Sequence, residues 1–147
     1  MHKILRVVID ANHIISAILS SRGASAKLID WMTREDDYFT LLISQDIWKE
    51  YVTVANWLIP ASKYLEKDRI INVLNAQSEW IEPKIRLTVC TDVSDNYFLE
   101  CAVSGSVDYL VTKNIRHFPR KEYSNVKIVR IGKFLKELEK IESPKTK

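Results

Sequence analysis

Apolar positions along this chain alternate between short β-branched runs and stripes spaced three and four residues apart. Ile4 to Ile9 is too short for a typical helix and rich in β-branched side chains, which predicts a buried strand ending at Asp10. Ile14, Ile15, Ile18 and Leu19 then share one helical face, and Arg22-Gly23 stops that helix. Ser25 is the expected cap of a second helix that turns Leu28, Ile29 and Met32 inward, ahead of the solvated loop Arg34-Glu35-Asp36-Asp37. A second strand is expected at Leu41 to Ile43. Ser44 follows as an N-cap, with Ile47, Tyr51, Val54 and Leu58 on the stripe of the next helix. Pro60 ends that segment, and a helix opened by Ser62 carries Leu65, Ile70, Ile71, Val73 and Leu74 down to about Trp80.

Pro83 forces an exit from that helix. The pattern then predicts an edge strand at Arg86 to Cys90, a helix from Asp95 to Ser104 released by Gly105, and a strand at Tyr109 to Thr112. A last strand, Val126 to Ile131, precedes a helix from Gly132 to Ile141. Strands alternating with helices require a mostly parallel sheet covered on both faces. In such sheets the functional crevice lies beyond the carboxyl ends of the strands. Attention therefore falls on Asp10, on Ser44 to Glu50 and on Thr112 to Arg116. No repeat or linker interrupts the chain, so residues 1–141 are read as one domain and 142–147 as a polar tail expected to fray.

Composition narrows the class. With 46% hydrophobic and 28% charged residues, and only three Gly and four Pro among 147, the chain is an ordinary folded one, not a collagenous or disordered one. A net charge of +3 is too small for a protein that coats nucleic acid, and compatible with a local basic patch beside an acidic site. Cys90 and Cys101 are the only cysteines, so neither a disulfide framework nor a four-cysteine zinc site can be built, and both are expected to pack as small apolar residues in a reducing compartment. Arg6, Asp10, Asn12 and His13 interrupt what would otherwise resemble a signal peptide, and no run of 18 apolar residues occurs. A cytoplasmic protein without a membrane partner is expected.

Three carboxylates stand where the turns of a parallel sheet converge: Asp10 at a strand end, Glu50 on the shoulder of an apolar stripe, and Asp95 in line with Leu99 and Ala102. Each also has a plainer role. Asp10 can cap a helix, Glu50 can be a border glutamate, and Asp92 and Asp95 can satisfy a helix N-terminus, while Glu100 is expected to face solvent. Taken together they need compensation, because two carboxylates about 5 Å apart at an effective dielectric near 20 repel by roughly 3 kcal/mol. A divalent cation supplies it. Ligands that are all oxygen favour Mg²⁺ or Mn²⁺ over zinc, and that chemistry suits phosphodiester hydrolysis.

Four segments resemble the motifs of the PIN-domain nucleases, with the VapC-type toxins of bacterial and archaeal toxin–antitoxin pairs the nearest match. They are Val-Val-Ile-Asp-Ala-Asn (7–12), Ile-Ser-Gln-Asp-Ile-Trp-Lys-Glu-Tyr (43–51), Asp-Asn-Tyr-Phe-Leu-Glu-Cys-Ala (95–102) and Asp-Tyr-Leu-Val-Thr-Lys-Asn (108–114). The similarity runs from about residue 5 to 138. It implies a three-layer α/β/α sandwich with a mostly parallel central sheet, an endoribonuclease dependent on Mg²⁺ or Mn²⁺, an RNA substrate, frequent homodimers and an antitoxin partner. By the same resemblance Asp10, Glu50 and Asp95 are the catalytic and metal-binding acids, with Asn12, Thr112 and Asp92 in support. The chain departs from the family pattern at Ala11, where many relatives have Thr, and at Asn114, where many have an acid. Asn114 can reach a metal-bound water through its carbonyl but adds no charge. These departures leave a non-catalytic RNA- or protein-binding PIN fold as the alternative.

Beside this site Lys113, Arg116, Arg120 and Lys121 form a basic run suited to RNA phosphates, or equally to a solvated loop. His117 is expected to cap a turn or to assist a leaving group. Trp31, Trp48, Trp57 and Trp80 are placed on helices, as packing residues before stacking platforms. No Gly-x-Gly-x-x-Gly follows the first strand, which disfavours a dinucleotide binder.

Overall fold

The first strand forms where the β-branched run predicts it and becomes the centre of a six-stranded sheet. The computed structural model describes residues 2–142, so most of the expected C-terminal tail lies outside the described residues. Strand β1 (Leu5–Ile9) pairs in parallel with β2 (Phe39–Ile43) on one side and β4 (Tyr109–Val111) on the other. β3 (Glu79–Trp80) extends the sheet beyond β2, and β6 (Val126–Val129) lies beside β4. β5 (Glu122–Tyr123) closes the far edge antiparallel to β6, giving the order β3-β2-β1-β4-β6-β5. Six α-helices flank this sheet in a three-layer α/β/α sandwich: α1 (Ala11–Leu19), α2 (Ala24–Met32), α3 (Gln45–Leu58), α4 (Tyr64–Gln77), α5 (Val93–Ser104) and α6 (Ile131–Glu142). Among the described residues no helix is long and apolar enough to cross a membrane.

Central strands covered on both faces must be apolar throughout, and every residue of β1 but Arg6 is buried. Tyr51 of α3 and Phe134 of α6 are among the largest fully buried side chains. Phe134 meets Phe39 and Tyr109 edge to face at centroid separations of 5.3 and 5.7 Å, which locks α6 across β2 and β4. On α3 the buried positions are Ile47, Tyr51 and Ala55, and Leu58 of the expected stripe is exposed.

Several expectations fail for local reasons. The helix expected to reach Trp80 ends at Gln77, and Glu79–Trp80 are the edge strand, with the Ile81 N–H extending the ladder to the Ile43 carbonyl at 2.8 Å. Trp80 therefore sits on a strand, where its ring tilts against Trp48. Residues 86–90 make no strand. Glu100 pins that segment by accepting from the Leu87 N–H (2.7 Å) and Arg86 Nη1 (3.0 Å). Glu100 is accordingly buried at 2% exposure and not solvated, because Arg86 and a backbone N–H compensate its charge. Asn96 holds the end of the same segment through both amide atoms on the backbone of Cys90. Ser25 does not cap α2. Gly23 is the N-cap, and Ser25, the second residue of the helix, turns inward with its Oγ 2.9 Å from His13 Nδ1. The β5–β6 hairpin, absent from the sequence reading, turns on Ser124 and Asn125, both at positive φ.

Gly105, at the C-terminus of α5, lies so close to β2 that a Cβ there would stand 2.3 Å from Leu42 Cδ2 and 3.1 Å from the Cys101 carbonyl. Gly105→Ala is expected to lower the unfolding free energy by about 1–3 kcal/mol through overpacking, read as a lower urea midpoint. An unchanged midpoint would mean that Leu42 moves aside freely.

Candidate active site

Asp10 occupies the junction between β1 and α1. Its N–H still bonds to the Val111 carbonyl at 3.0 Å, and its side chain already caps the helix, Oδ1 accepting from the His13 N–H at 3.2 Å. The cap uses only one oxygen. Oδ2 accepts the Thr112 hydroxyl and the Lys113 N–H, and Thr112 Oγ1 in turn accepts from the Asn114 N–H at 3.0 Å. A carboxylate only 6% exposed is thus held by the start of α1 and by the turn that follows β4. Tyr51 ties a third element to the same point by donating its hydroxyl to the carbonyl of Ile9, just ahead of Asp10. That phenol is fully enclosed, and burial followed by the Asp10 charge pushes its pKa well above the usual tyrosine value.

Because Tyr51 anchors α3, its neighbour Glu50 faces the cleft that Asp10 borders. This cleft, of about 130 Å³, is also lined by Asn12, Asp92, Asp95, Asn114 and His117. Burial raises the pKa of Glu50, and the charges of Asp92 and Asp95 raise it further. Burial likewise raises that of Asp95, against a hydrogen bond from His117, whose Nδ1 lies 3.0 Å from Asp95 Oδ2. The Cys90 thiol is pushed up to about 11 by burial and by Asp95 and Asp92. Asp92 keeps its plainer role too, capping α5 through the N–H and hydroxyl of Ser94.

Negative charge is therefore crowded around one small space, and the polar groups facing it are carboxylates, amides, the Ser94 hydroxyl and one imidazole. Among the described residues no three His, Cys, Asp or Glu side chains converge into a ready-made metal cage. Mg²⁺ does not require one, since it typically keeps several waters and takes one or two carboxylates directly. The donor set fits such a hydrated, hard cation, which would relieve the repulsion that adds to burial in raising the proton affinity of Glu50 and Asp95.

The basic run divides. Lys113 extends away from the acids, its Nζ donating to Ser16 Oγ at 2.6 Å. Arg116 lies in the short turn Ile115–His117, and Arg120 sits over the ring of Tyr123. Arg116, Arg120 and Lys121 are exposed, and none lines the cleft itself. Trp31 is buried beneath Arg34, and Trp57 is 84% exposed. Sequence reasoning left His117 undecided and passed over Tyr51 and Asn96 as site-building residues. An aromatic hydroxyl directly after Glu50 was the one available signal, because a buried tyrosine needs an acceptor.

A mostly parallel α/β/α sandwich with acids gathered at the carboxyl edge of its sheet belongs to the class that places its chemistry at strand ends. Residues 6–116 match the family model described as PIN domain, and the chain belongs to the PIN-domain family. It is 27% identical over 154 residues to an uncharacterized protein of Methanocaldococcus jannaschii, the alignment covering 95% of this chain and 96% of that one. Its fold is similar to the crystal structure of VapBC2 from Rickettsia felis bound to a DNA fragment from their promoter. That match has a TM-score of 0.55 and 13% identity, and covers 84% of this chain and 97% of the other.

A raised carboxyl pKa means that the folded state binds the proton more tightly than the unfolded chain, so ionisation erodes stability as pH climbs through the raised value. Glu50→Gln removes this penalty. In chelator, the variant is expected to melt above the parent at pH 7, with the gap shrinking as pH falls into the range where Glu50 is protonated. Equal melting temperatures at both ends would show that solvent screens the cluster.

Proposed function

We propose that this PIN domain is a divalent-metal-dependent endoribonuclease that hydrolyses RNA phosphodiester bonds, and that it is the toxin of a toxin–antitoxin pair in the cytoplasm. The observation that carries the reading is the meeting of Asp10, Glu50 and Asp95, with Asn12 and Asn114, in one cleft at the carboxyl edge of the sheet. Asp10, Glu50 and Asp95 would hold Mg²⁺ or Mn²⁺, with Asn114 reaching a bound water. When bound, the ion supplies an attacking water at neutral pH and offsets charge on the phosphoryl oxygens. Asp10 needs no reorganisation for this, since Thr112, the Lys113 N–H and the His13 N–H already orient it. Glu50, whose proton affinity burial and the charges of Asp92 and Asp95 raise, would give that proton up to ligate the ion as a carboxylate. Lys113, Arg116, Arg120 and Lys121 contact RNA phosphates without reading bases. An antitoxin that covers the cleft is suggested by the motif order shared with VapC-type toxins and by the likeness in fold to VapBC2, and a homodimer by the motif order alone.

The experiment is cleavage of single-stranded RNA with Mn²⁺, Mg²⁺ or chelator, run beside Asp10→Asn. Cleavage is expected in both metals and is expected to vanish in chelator and in the variant. A second reading, a non-catalytic binder, is favoured by the neutral Asn114 and by the pairing of Asp95 with His117. RNA left intact in every lane yet retained on the protein would establish that reading instead.

Asn114→Asp restores a charge to the cleft and is expected to tighten Mn²⁺ several-fold in calorimetry. Unchanged affinity with the fold intact would place the side chain out of the ion's reach.

A further inference from the structure

A second cavity, of about 540 Å³, opens along the face of α1 that carries His13 and Ser16 and reaches its C-cap, Ser20. It shares one turn with the acidic cleft. Thr112 and Lys113 hold Asp10 through a hydroxyl and an N–H, and both also line this cavity. Its chemistry is otherwise opposite. No acidic side chain lines it, and Lys113 and Arg130 do. Among the described residues Arg130 makes no ion pair, and Lys113 Nζ bonds only the neutral Ser16 hydroxyl.

The N-terminus of α2 opens onto the same space, because Gly23 and Ser25 are lining residues. Gly23 has no side chain to cap the helix, so the first N–H groups of this nine-residue helix lack an acceptor from the cap. An independent observation points to a ligand. His13 lines the cavity at 2% exposure, its Nδ1 is engaged by Ser25, and its Nε2 has no hydrogen-bond partner. Two cationic side chains and a helix N-terminus suit a phosphate, and so does His13 in the tautomer whose Nδ1 accepts from the Ser25 hydroxyl and whose Nε2 carries the proton, while Ala24 and Ile131 give apolar surface for a sugar or base.

We propose that this cavity seats a nucleotide of the same RNA strand that lies across the acidic cleft, its phosphate held by Arg130, Lys113 and the N-terminus of α2. The proposal rests on the nuclease reading for the identity of the strand. The shared turn favours the strand over a free phosphate, because a backbone leaving the cleft past Asn114 meets Lys113 next.

The test reads binding apart from cleavage, in chelator, with the whole chain. Amide shifts of Ala24, Ser25 and Ala26 are followed during addition of inorganic phosphate, adenosine 5′-monophosphate or a short single-stranded RNA. Anisotropy of the labelled RNA is measured across salt for the parent, Arg130→Gln and Gly23→Asp. A Cβ at Gly23 would meet nothing closer than Ser20 Oγ at 3.7 Å, so aspartate fits there and is a favoured N-cap. Gly23→Asp is therefore expected to keep or raise the melting temperature while setting a negative charge in the phosphate's place.

RNA is expected to shift the three amides, and each variant to weaken RNA binding about tenfold. Each lost phosphate contact is expected to lower the log–log salt slope by about 0.7. Unchanged affinity and slope in both variants would overturn the proposal, as would mononucleotide or phosphate shifting the amides when RNA does not. Loss of cleavage with binding and its variant effects preserved would count against the nuclease reading alone.

Discussion

Asp10 carries a charge into a place with little water, and a carboxylate there persists only if donors surround it. Those donors come from the backbone of α1, from the hydroxyl of Thr112 and from the backbone of Lys113. The parallel pairing of β1 with β4 makes this possible, since in a parallel ladder both strands end on the same side. Much else hangs on the point. Tyr51 bonds the carbonyl just before Asp10, which fixes α3 and with it Glu50, and the turn after Thr112 sets where Lys113 and Asn114 leave the sheet.

Around that anchor the protein separates its charges. The cleft gathers Glu50, Asp92 and Asp95 beside Asp10, and the adjoining cavity presents Lys113 and Arg130 with no acid among its lining residues. A phosphate-bearing strand would meet repulsion from the first set unless a cation intervened, and attraction from the second without one. His117 lies against one oxygen of Asp95, so a metal on that carboxylate would share it with the imidazole or displace it.

The sheet and the acids were legible because each is tied to a local signal. The β-branched run ahead of Asp10 becomes β1, Ser44 caps α3 as expected, and Glu50 and Asp95 lie at the edges of buried stripes. What escaped depends on partners distant in sequence or on elements too short to show a period. β3 is two residues long, and only its ladder with β2 makes it a strand. Glu100 reads as a surface residue until Arg86 and the Leu87 N–H close on it, and Ser25 reads as a cap until His13 draws it inward. Helical spacing also misplaced Leu58, since a stripe of Ile47, Tyr51 and Ala55 turns that position to solvent.

Thr112 and Asp10 are 102 residues apart, and the strands beside them cannot pair until β4 has been made. During synthesis the residues up to Ile43 can form β1, β2 and the helices between them, but the central strand keeps one edge unpaired until Tyr109–Val111 have been made. Contacts this remote in sequence fold late. A growing chain therefore carries Asp10 and Glu50 well before it can hold Asp10 in place, and the site matures only once Thr112 has emerged.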